Sequence, residues 1–294
     1  MRTPHTFLDT LAMTQLSPEL AHKRDQLLVR MKKFERVAVA FSGGVDSSVV
    51  AKAAQIACDQ WAIALTAVSP SLASGELKIA AEVASSIGIR HELVRTEEFE
   101  NPEYVKNAPN RCFFCKDELY SQLERLQCKY GFTAILNGAN IDDRGDHRPG
   151  MQAAQNHQVD SPLLETGFTK QDVRDLAQHW QLPVWDKPAS PCLASRIAYG
   201  VEVTPERVRR VDAAESYLKQ RLNLEELRVR HMENDLARIE VPSPALPVLL
   251  KSEVITEVTA HLKSLGFQSV TVDPEGFRSG SLNDVIPLEM LQRL

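Results

Sequence analysis

The stretch "RVAVAFSGGVDSS", residues 36–48, decides the fold. Arg36 to Phe41 read as a short apolar strand, and the residues that follow open a helix with no linker between. Gly43 and Gly44 let the backbone turn tightly and approach an anion without a Cβ in the way. The free N–H groups of the helix start, with the hydroxyls of Ser42, Ser47 and Ser48, can then donate to phosphate oxygens. Ala40 and Phe41, at the end of the strand, would flank the same ligand. Asp46 would repel a phosphate unless a cation stood between them, so Mg²⁺ is implied. A Walker A loop is excluded because no Gly-Lys-Ser/Thr follows, and the Gly-X-Gly-X-X-Gly of a dinucleotide loop is absent.

Outward from this loop, strand-like runs recur at "WAIALTA" (61–67), "HELVRT" (91–96) and "TAILNGA" (133–139), with helix-like segments at 46–58, 75–88 and 113–130. Strands alternating with helices at this spacing predict an α/β fold, a doubly wound, Rossmann-like parallel sheet. Ligands of such sheets sit at the carboxyl ends of strands, where the strand order reverses. Ser17-Pro18-Glu19 supplies a cap, a first-turn proline and an acid for an earlier helix, and "TKQDVRDLAQHW" (169–180) reads as a later one.

Past about Gly200 the pattern changes. An amphipathic helix (205–222) leads to strand-like "LRVRH" and "ARIEV", then a helix over 250–265 and a strand, "FQSVTVD". The α-β-β-α-β order predicts a smaller C-terminal α+β domain. The expected organisation is an extension over 1–16, a nucleotide-binding domain over 17–198 and a second domain over 199–294. The second domain carries 12 Lys+Arg against 15 Asp+Glu, a balance of −3 that does not suit RNA. In "LRVRH", Arg228 and Arg230 are two apart, so a strand would point both to one face. Two guanidiniums side by side suit a phosphate or a carboxylate, although a solvated strand face would read the same way. Arg278, in a loop after Gly276, is a further candidate.

The whole chain has 294 residues and a net charge of −5, with 43% hydrophobic and 25% charged residues, as in ordinary globular proteins. No apolar run approaches the ~20 residues of a membrane span, and no signal-peptide core is visible. The expectation is a cytoplasmic protein that acts without membrane or nucleic-acid partners. Disulfides seldom persist there, so the pair in "NRCFFCKDELY" (110–120) is read as metal-binding or redox-active.

Cys58 and Cys128 fall within predicted helices and read as small buried apolar residues. Cys112 and Cys115 sit at a helix start, where the dipole favours thiolates and Arg111 and Lys116 add positive charge. Cys192 stands in the irregular joining segment 187–200. A zinc site would want a fourth ligand, and His179 in "LAQHW" reads as helix surface instead. Three cysteines could hold a [4Fe–4S] cluster with one iron open to an exogenous ligand. Redox pair, zinc site and cluster all remain open on these residues alone.

"SGGVDSS" resembles the pyrophosphatase loop (PP-loop) of enzymes that cleave ATP between its α and β phosphates and release pyrophosphate. That resemblance implies activation of an acyl oxygen as an adenylate, displaced by ammonia or sulfide. It also implies that Ala67 and its neighbours to Ser69, with Asn137 and Gly138, border the adenosine. "AFSGGVDSS", "DHRPG" (146–150), "CLASRIAYG" (192–200), "RVRHMENDLARIE" (228–240) and "GFRSGSLND" (276–284) together resemble the LarE family. These are ATP-dependent sulfur transferases that mature the nickel-pincer nucleotide of lactate racemase. The resemblance runs from about residue 20 through nearly the whole chain. It implies adenylation of a pyridinium dicarboxylate mononucleotide and conversion of each carboxylate to a thiocarboxylate.

The family has two types. One sacrifices the sulfur of its own cysteine, and the other holds a cluster on three cysteines and uses supplied sulfide. "RCFFC" with "PCLAS" is similar to the second type, which implies Cys112, Cys115 and Cys192 as ligands. The family also implies Arg228 and Arg278 on the substrate phosphate, with Arg230 beside them. Ser195 and Arg196 would lie near the reacting carboxylate, and Glu215 would face the pocket or the solvent. Ser281 stands where the family often has a basic residue. Expected partners are the nucleotide substrate, a sulfide donor and further copies of the chain in a homo-oligomer. The rival readings are a PP-loop tRNA thiolase, a transferase that sacrifices Cys192, an ammonia-using synthetase, and a non-catalytic sensor.

Overall fold

The computed structural model describes residues 15–143 and 149–278. The expected extension 1–16 lies outside them except for its last two residues, and so do Ser281 and Asp146–Arg148 of "DHRPG".

Two sheets organise the described residues. The first holds β1 (Val37–Ala40), β2 (Ala62–Val68), β3 (Arg90–Arg95) and β4 (Ala134–Leu136) in the order β3-β2-β1-β4, all parallel. β1 and β2 are apolar on both faces because helices cover both, whereas β3, at the sheet edge, buries only Val94. Val37, Val39, Ala62 and Ala64 face one hydrophobic cluster, which is completed by α1 (Pro18–Met31), α2 (Val45–Cys58), α3 (Glu76–Ile87) and a later helix over Lys170–His179. Ala38, Ile63 and Leu65 face the other cluster, built on α4 (Arg111–Tyr130) and α5 (Pro149–Asn156). The chain steps from β1 outward to β3 and then returns to the far side of β1. The order therefore reverses between β1 and β4, which puts the ligand crevice at the carboxyl end of β1.

Local chemistry explains the helix ends. Ser17 accepts from the Leu20 N–H at 3.1 Å with Pro18 in the first turn of α1. Thr169 and Asp172 form a reciprocal capping box at the start of α6 (Lys170–His179).

The second sheet has the order β5-β6-β7, from β5 (Arg228–Met232), β6 (Leu236–Glu240) and β7 (Ser269–Val272). β5 and β6 are antiparallel and β6 and β7 parallel, giving the expected α-β-β-α-β order with α7 (Pro205–Leu222) and α8 (Ser252–Ser264). Its inner face, with Val229, Ala237 and Ile239, packs on Val208, Val211 and Leu218 of α7 and Val258 and Leu262 of α8. The same cluster takes in Leu193, Ala194, Ile197 and Ala198, so the joining segment is part of the second core. Its opposite face is polar. Register pairs Arg228 with Glu240, Arg230 with Arg238, and Arg238 with Thr271 on that side.

The reading of Cys128 as buried is corrected. Cys58 is buried, but Cys128 is exposed. The stripe of α4 that meets the core runs through Leu119, Tyr120 and Leu123, and position 128 falls off it in the last turn.

Candidate active site

The loop after β1 is shaped by its own hydroxyls. Ser42 Oγ and Ser47 Oγ lie 3.1 Å apart, and Ser47 and Ser48 donate to the Gly44 carbonyl at 3.1 and 2.8 Å. Ser48 is fully buried, so it braces the turn and leaves Ser42, which is exposed, facing the crevice. Gly43 has φ +72°, and a Cβ there would stand 2.8 Å from the Ala80 Cα of α3. Both facts require glycine. Gly138, at the end of β4, is equally confined, since a Cβ would stand 2.8 Å from the Ser47 N. Asn137 turns inward, its Oδ1 accepting from Ser161 Oγ at 2.9 Å and the Ala139 N–H at 3.0 Å. It therefore shapes the crevice wall from behind. Ala40 and Ala67 are half-buried at the strand ends, and Phe41 is buried.

Asp46, in the first turn of α2, carries two partners that sequence reasoning missed. Asn140 Nδ2 donates to Oδ1 at 3.0 Å, and Lys170 Nζ forms an ion pair with Oδ2. Lys170 is the first residue of α6, and its N–H donates to Asp142 Oδ2 at 2.7 Å. Asp46 is thus paired with a cation, Lys170, from a distant helix. The signal for Lys170 was its place behind a capping threonine, but nothing in the sequence tied it to a loop 124 residues away.

The cysteines are gathered by the start of α4. Arg111 is buried, and its Nη1 donates to Asn107 Oδ1 and to the Ala194 carbonyl, the latter at 2.9 Å. Asn107 Nδ2 in turn donates to the carbonyls of Ile197, Ala198 and Val201 at 3.3, 2.8 and 2.8 Å. The Leu193 N–H donates to the Ser71 carbonyl at 2.9 Å, beyond the end of β2. These ties carry Cys192 to the Cys-X-X-Cys turn, and the three thiols come within electrostatic reach of one another. Cys112 and Cys192 are exposed, and Cys115 is half-buried.

Burial pushes the free Cys115 thiol up to about 12. Cys192, Glu98 and Cys112 add to the shift, and Lys116 opposes it. The expectation of a helix-favoured thiolate fails at Cys115, because desolvation and the neighbouring thiols outweigh the dipole. Among the described residues no group of three or more His, Cys, Asp or Glu converges closely enough to hold a single metal ion.

Arg196 and Glu215 turn to each other. They are 2% and 3% exposed and form a buried ion pair, Nε to Oε1 at 3.1 Å. Glu215 Oε1 also accepts from the Val229 N–H at 3.1 Å, while Arg196 Nη1 donates to the Cys192 carbonyl at 3.1 Å and Ser195 Oγ at 3.0 Å. The pair fixes the backbone at Cys192 from behind. The cation that reaches Ser195 from the front is Arg230, whose Nη1 donates to the Ser195 carbonyl at 3.3 Å.

Arg230 also pairs with Glu240, Nη2 to Oε2 at 2.8 Å. Arg228 donates to the Leu227 carbonyl at 2.8 Å, and its guanidinium carbon lies 4.9 Å from the centre of the Phe277 ring. Burial and the nearby Arg196 and Arg230 charges hold Arg228 below its ordinary value, against the pull of Glu215 and Glu226. Arg278 is partly exposed and pairs with Glu275. Arg230 thus ties the polar face of the second sheet to the joining segment that carries Cys192.

The asparagine synthase family profile matches residues 24–113, which include the loop after β1 and end just past Cys112. The chain is 45% identical to an uncharacterized protein of Synechocystis over 91% of this chain and 99% of that protein. It is 36% identical to the pyridinium-3,5-bisthiocarboxylic acid mononucleotide synthase of Lactiplantibacillus plantarum, over 91% of this chain and 96% of that enzyme. An uncharacterized protein of Methanocaldococcus jannaschii is 24% identical over 84% of this chain and 92% of its own length. Among the described residues no helix is long and apolar enough to cross a membrane.

Proposed function

The chain belongs to the LarE family of PP-loop sulfur transferases, and from that premise we propose that it converts both carboxylates of a pyridinium-3,5-dicarboxylate mononucleotide to thiocarboxylates at the expense of ATP. The observation that carries this reading is Arg230. It reaches from the arginine-bearing face of the second sheet to Ser195, three residues from Cys192. An anionic nucleotide bound on that face would present its ring at the cysteines.

The residues then divide the work. Ser42 and the N–H groups at the start of α2 hold the phosphates of ATP, which brings Mg²⁺ with it. Asp46 gives up Lys170 to meet that Mg²⁺, and Lys170 is freed toward the departing pyrophosphate. A substrate carboxylate oxygen attacks the α phosphorus, the bond to the bridging oxygen breaks, and pyrophosphate leaves. A sulfur nucleophile then attacks the acyl carbon, and AMP departs with the bonding pair. Residues 17–198 carry the ATP chemistry in this reading, and 199–294 hold the substrate. Arg228 and Arg278 take its phosphate through charge-assisted hydrogen bonds. Cys112, Cys115 and Cys192 would ligate a [4Fe–4S] cluster, which supplies an open iron position for the sulfide to be transferred. What supports the donor set is that Cys192 and Cys112 act electrostatically on Cys115, with Lys116 supplying positive charge that favours its thiolate.

The test is product analysis under anaerobic conditions with ATP, sulfide and the dicarboxylate mononucleotide. AMP and pyrophosphate should appear together, and Asp46→Ala should abolish both, because the triphosphate loses its metal bridge. Stoichiometric ADP would overturn the mechanism. Release of pyrophosphate with tRNA, and none with the mononucleotide, would favour the thiolase instead.

A further inference from the structure

The polar face of the second sheet holds one guanidinium more than these contacts use. Arg238 on β6 stands directly opposite Arg230 on β5, with Thr271 of β7 on its other side. Arg230 and Arg238 converge on one carboxylate. Arg230 donates through Nε to Glu240 Oε2 at 2.9 Å, and Arg238 through Nη2 to Oε1 at 3.1 Å. Glu240 is completely buried. Asp273 lies between two cations: Oδ2 is 3.8 Å from Arg238 Nε, and Oδ1 is 3.7 Å from Arg278 Nη1, which also pairs with Glu275. At that distance Asp273 accepts no hydrogen bond from Nε, which is buried and has no hydrogen-bond partner. A buried donor left without an acceptor destabilises the protein unless a ligand supplies one.

We propose that Arg238 binds the ring carboxylate of the substrate that is not reacting. The inference rests on the substrate assigned above and adds a subsite to it. Arg230 marks the inner end of the face, since it touches Ser195 beside Cys192. Arg238 is one strand further out, a step of about 4.8 Å. That step is of the same order as the separation of two carboxylates placed meta on a six-membered ring. A ring with one carboxyl group at Ser195 therefore lays the other against Arg238. When the ring turns over for the second thiolation, Arg238 receives the finished thiocarboxylate, which carries the same charge. The subsite thus favours a substrate with two anionic groups over one with a single group, and it does so without touching the reacting atoms.

Calorimetric titration of the anaerobic full-length protein tests this, without ATP. The two probes are pyridinium-3,5-dicarboxylate mononucleotide and pyridinium-3-carboxylate mononucleotide. The wild type should bind the dicarboxylate more tightly by roughly ten- to a hundredfold, the range of one charge-assisted hydrogen bond to a buried partner. Arg238→Gln should remove most of that preference and leave the affinity for the monocarboxylate unchanged. Glu240 keeps Arg230 in that variant, so the fold is expected to persist. Arg238→Lys, which retains the charge and loses the fork, should keep part of the preference. Equal binding of both probes by the wild type, or equal weakening of both by either variant, would overturn the subsite. If the wild type binds neither probe, the assigned substrate itself is wrong.

Discussion

Glu215→Ala should cost about 3–5 kcal/mol of folding stability, although position 215 lies on an amphipathic helix where a charge reads as surface. The magnitude follows from what the carboxylate holds. Both side chains of the Arg196–Glu215 pair are almost wholly buried, at 3% and 5% exposure. Removing one partner leaves a buried guanidinium uncompensated, which typically costs about 3–5 kcal/mol. The same change orphans the Val229 N–H in the middle of β5. Glu215→Gln should cost less, because the amide oxygen can still accept from Val229. The double variant Arg196→Met/Glu215→Leu should cost less than Arg196→Met alone, since no unpaired charge remains. Urea unfolding at fixed pH measures this, with the midpoint shifted and the slope unchanged. A loss below about 1 kcal/mol for Glu215→Ala, or strict additivity of the two single changes, would refute the buried-latch reading. A normal midpoint with collapsed substrate affinity would instead return Glu215 to the ligand-facing role implied by the family.

Anaerobically isolated protein should contain iron. Cys112→Ala, Cys115→Ala and Cys192→Ala should each lose most of it, while Cys58→Ala and Cys128→Ala should change little. Zinc without iron, or mass spectrometry showing the sulfur lost from Cys192 after turnover, would remove the cluster. A pH-dependent term should come from His157, whose Nδ1 meets Glu124 Oε1 at 2.9 Å and whose Nε2 meets Asp117 Oδ1 at 3.0 Å, joining α5 to α4. Burial alone would lower this imidazole, but its bonds to the two carboxylates raise it above the ordinary value of about 6.5. Its stabilisation is therefore complete below about pH 6.5 and fades as pH climbs through the raised value. Because the carboxylates are half exposed, the effect should stay within about 1 kcal/mol. The stability gap between wild type and His157→Gln, followed by urea unfolding, should shrink from pH 6 to pH 9. A gap that widens with pH would reverse the assignment.

The parallel sheet was legible because its signals are local. β1, β2 and β4 are short apolar runs, and the Gly-Gly turn joins a strand to a helix within a few residues. The second lobe's order was legible for the same reason, and so was the shared face of Arg228 and Arg230, a matter of period two. Long-range electrostatics were not legible. Lys170 reaches Asp46 across 124 residues, and Arg196 finds Glu215 across 19. Nothing in the neighbourhood of either residue names its partner. Cys128 misled because helix and cysteine together suggest burial, whereas only the position on the stripe decides it. Arg238 was overlooked inside a quoted motif because its importance comes from the strand opposite, which register alone reveals.

Asn107 has a consequence for how the molecule comes apart. Its single amide group serves the carbonyls of Ile197, Ala198 and Val201 in a segment whose apolar side chains belong to the second core. Tyr104 lies in that core as well, yet its hydroxyl meets Ser71 Oγ at 2.7 Å, just past β2. Neither lobe can open without stripping hydrogen bonds or apolar cover from the other. Cooperativity of unfolding is thereby imposed on a chain with two sheets. A gene cut at residue 190 would produce an ATP lobe with Asn107, Arg111 and Tyr104 all facing vacated partners. The two halves are one thermodynamic unit, and Cys192 lies on the seam that makes them so.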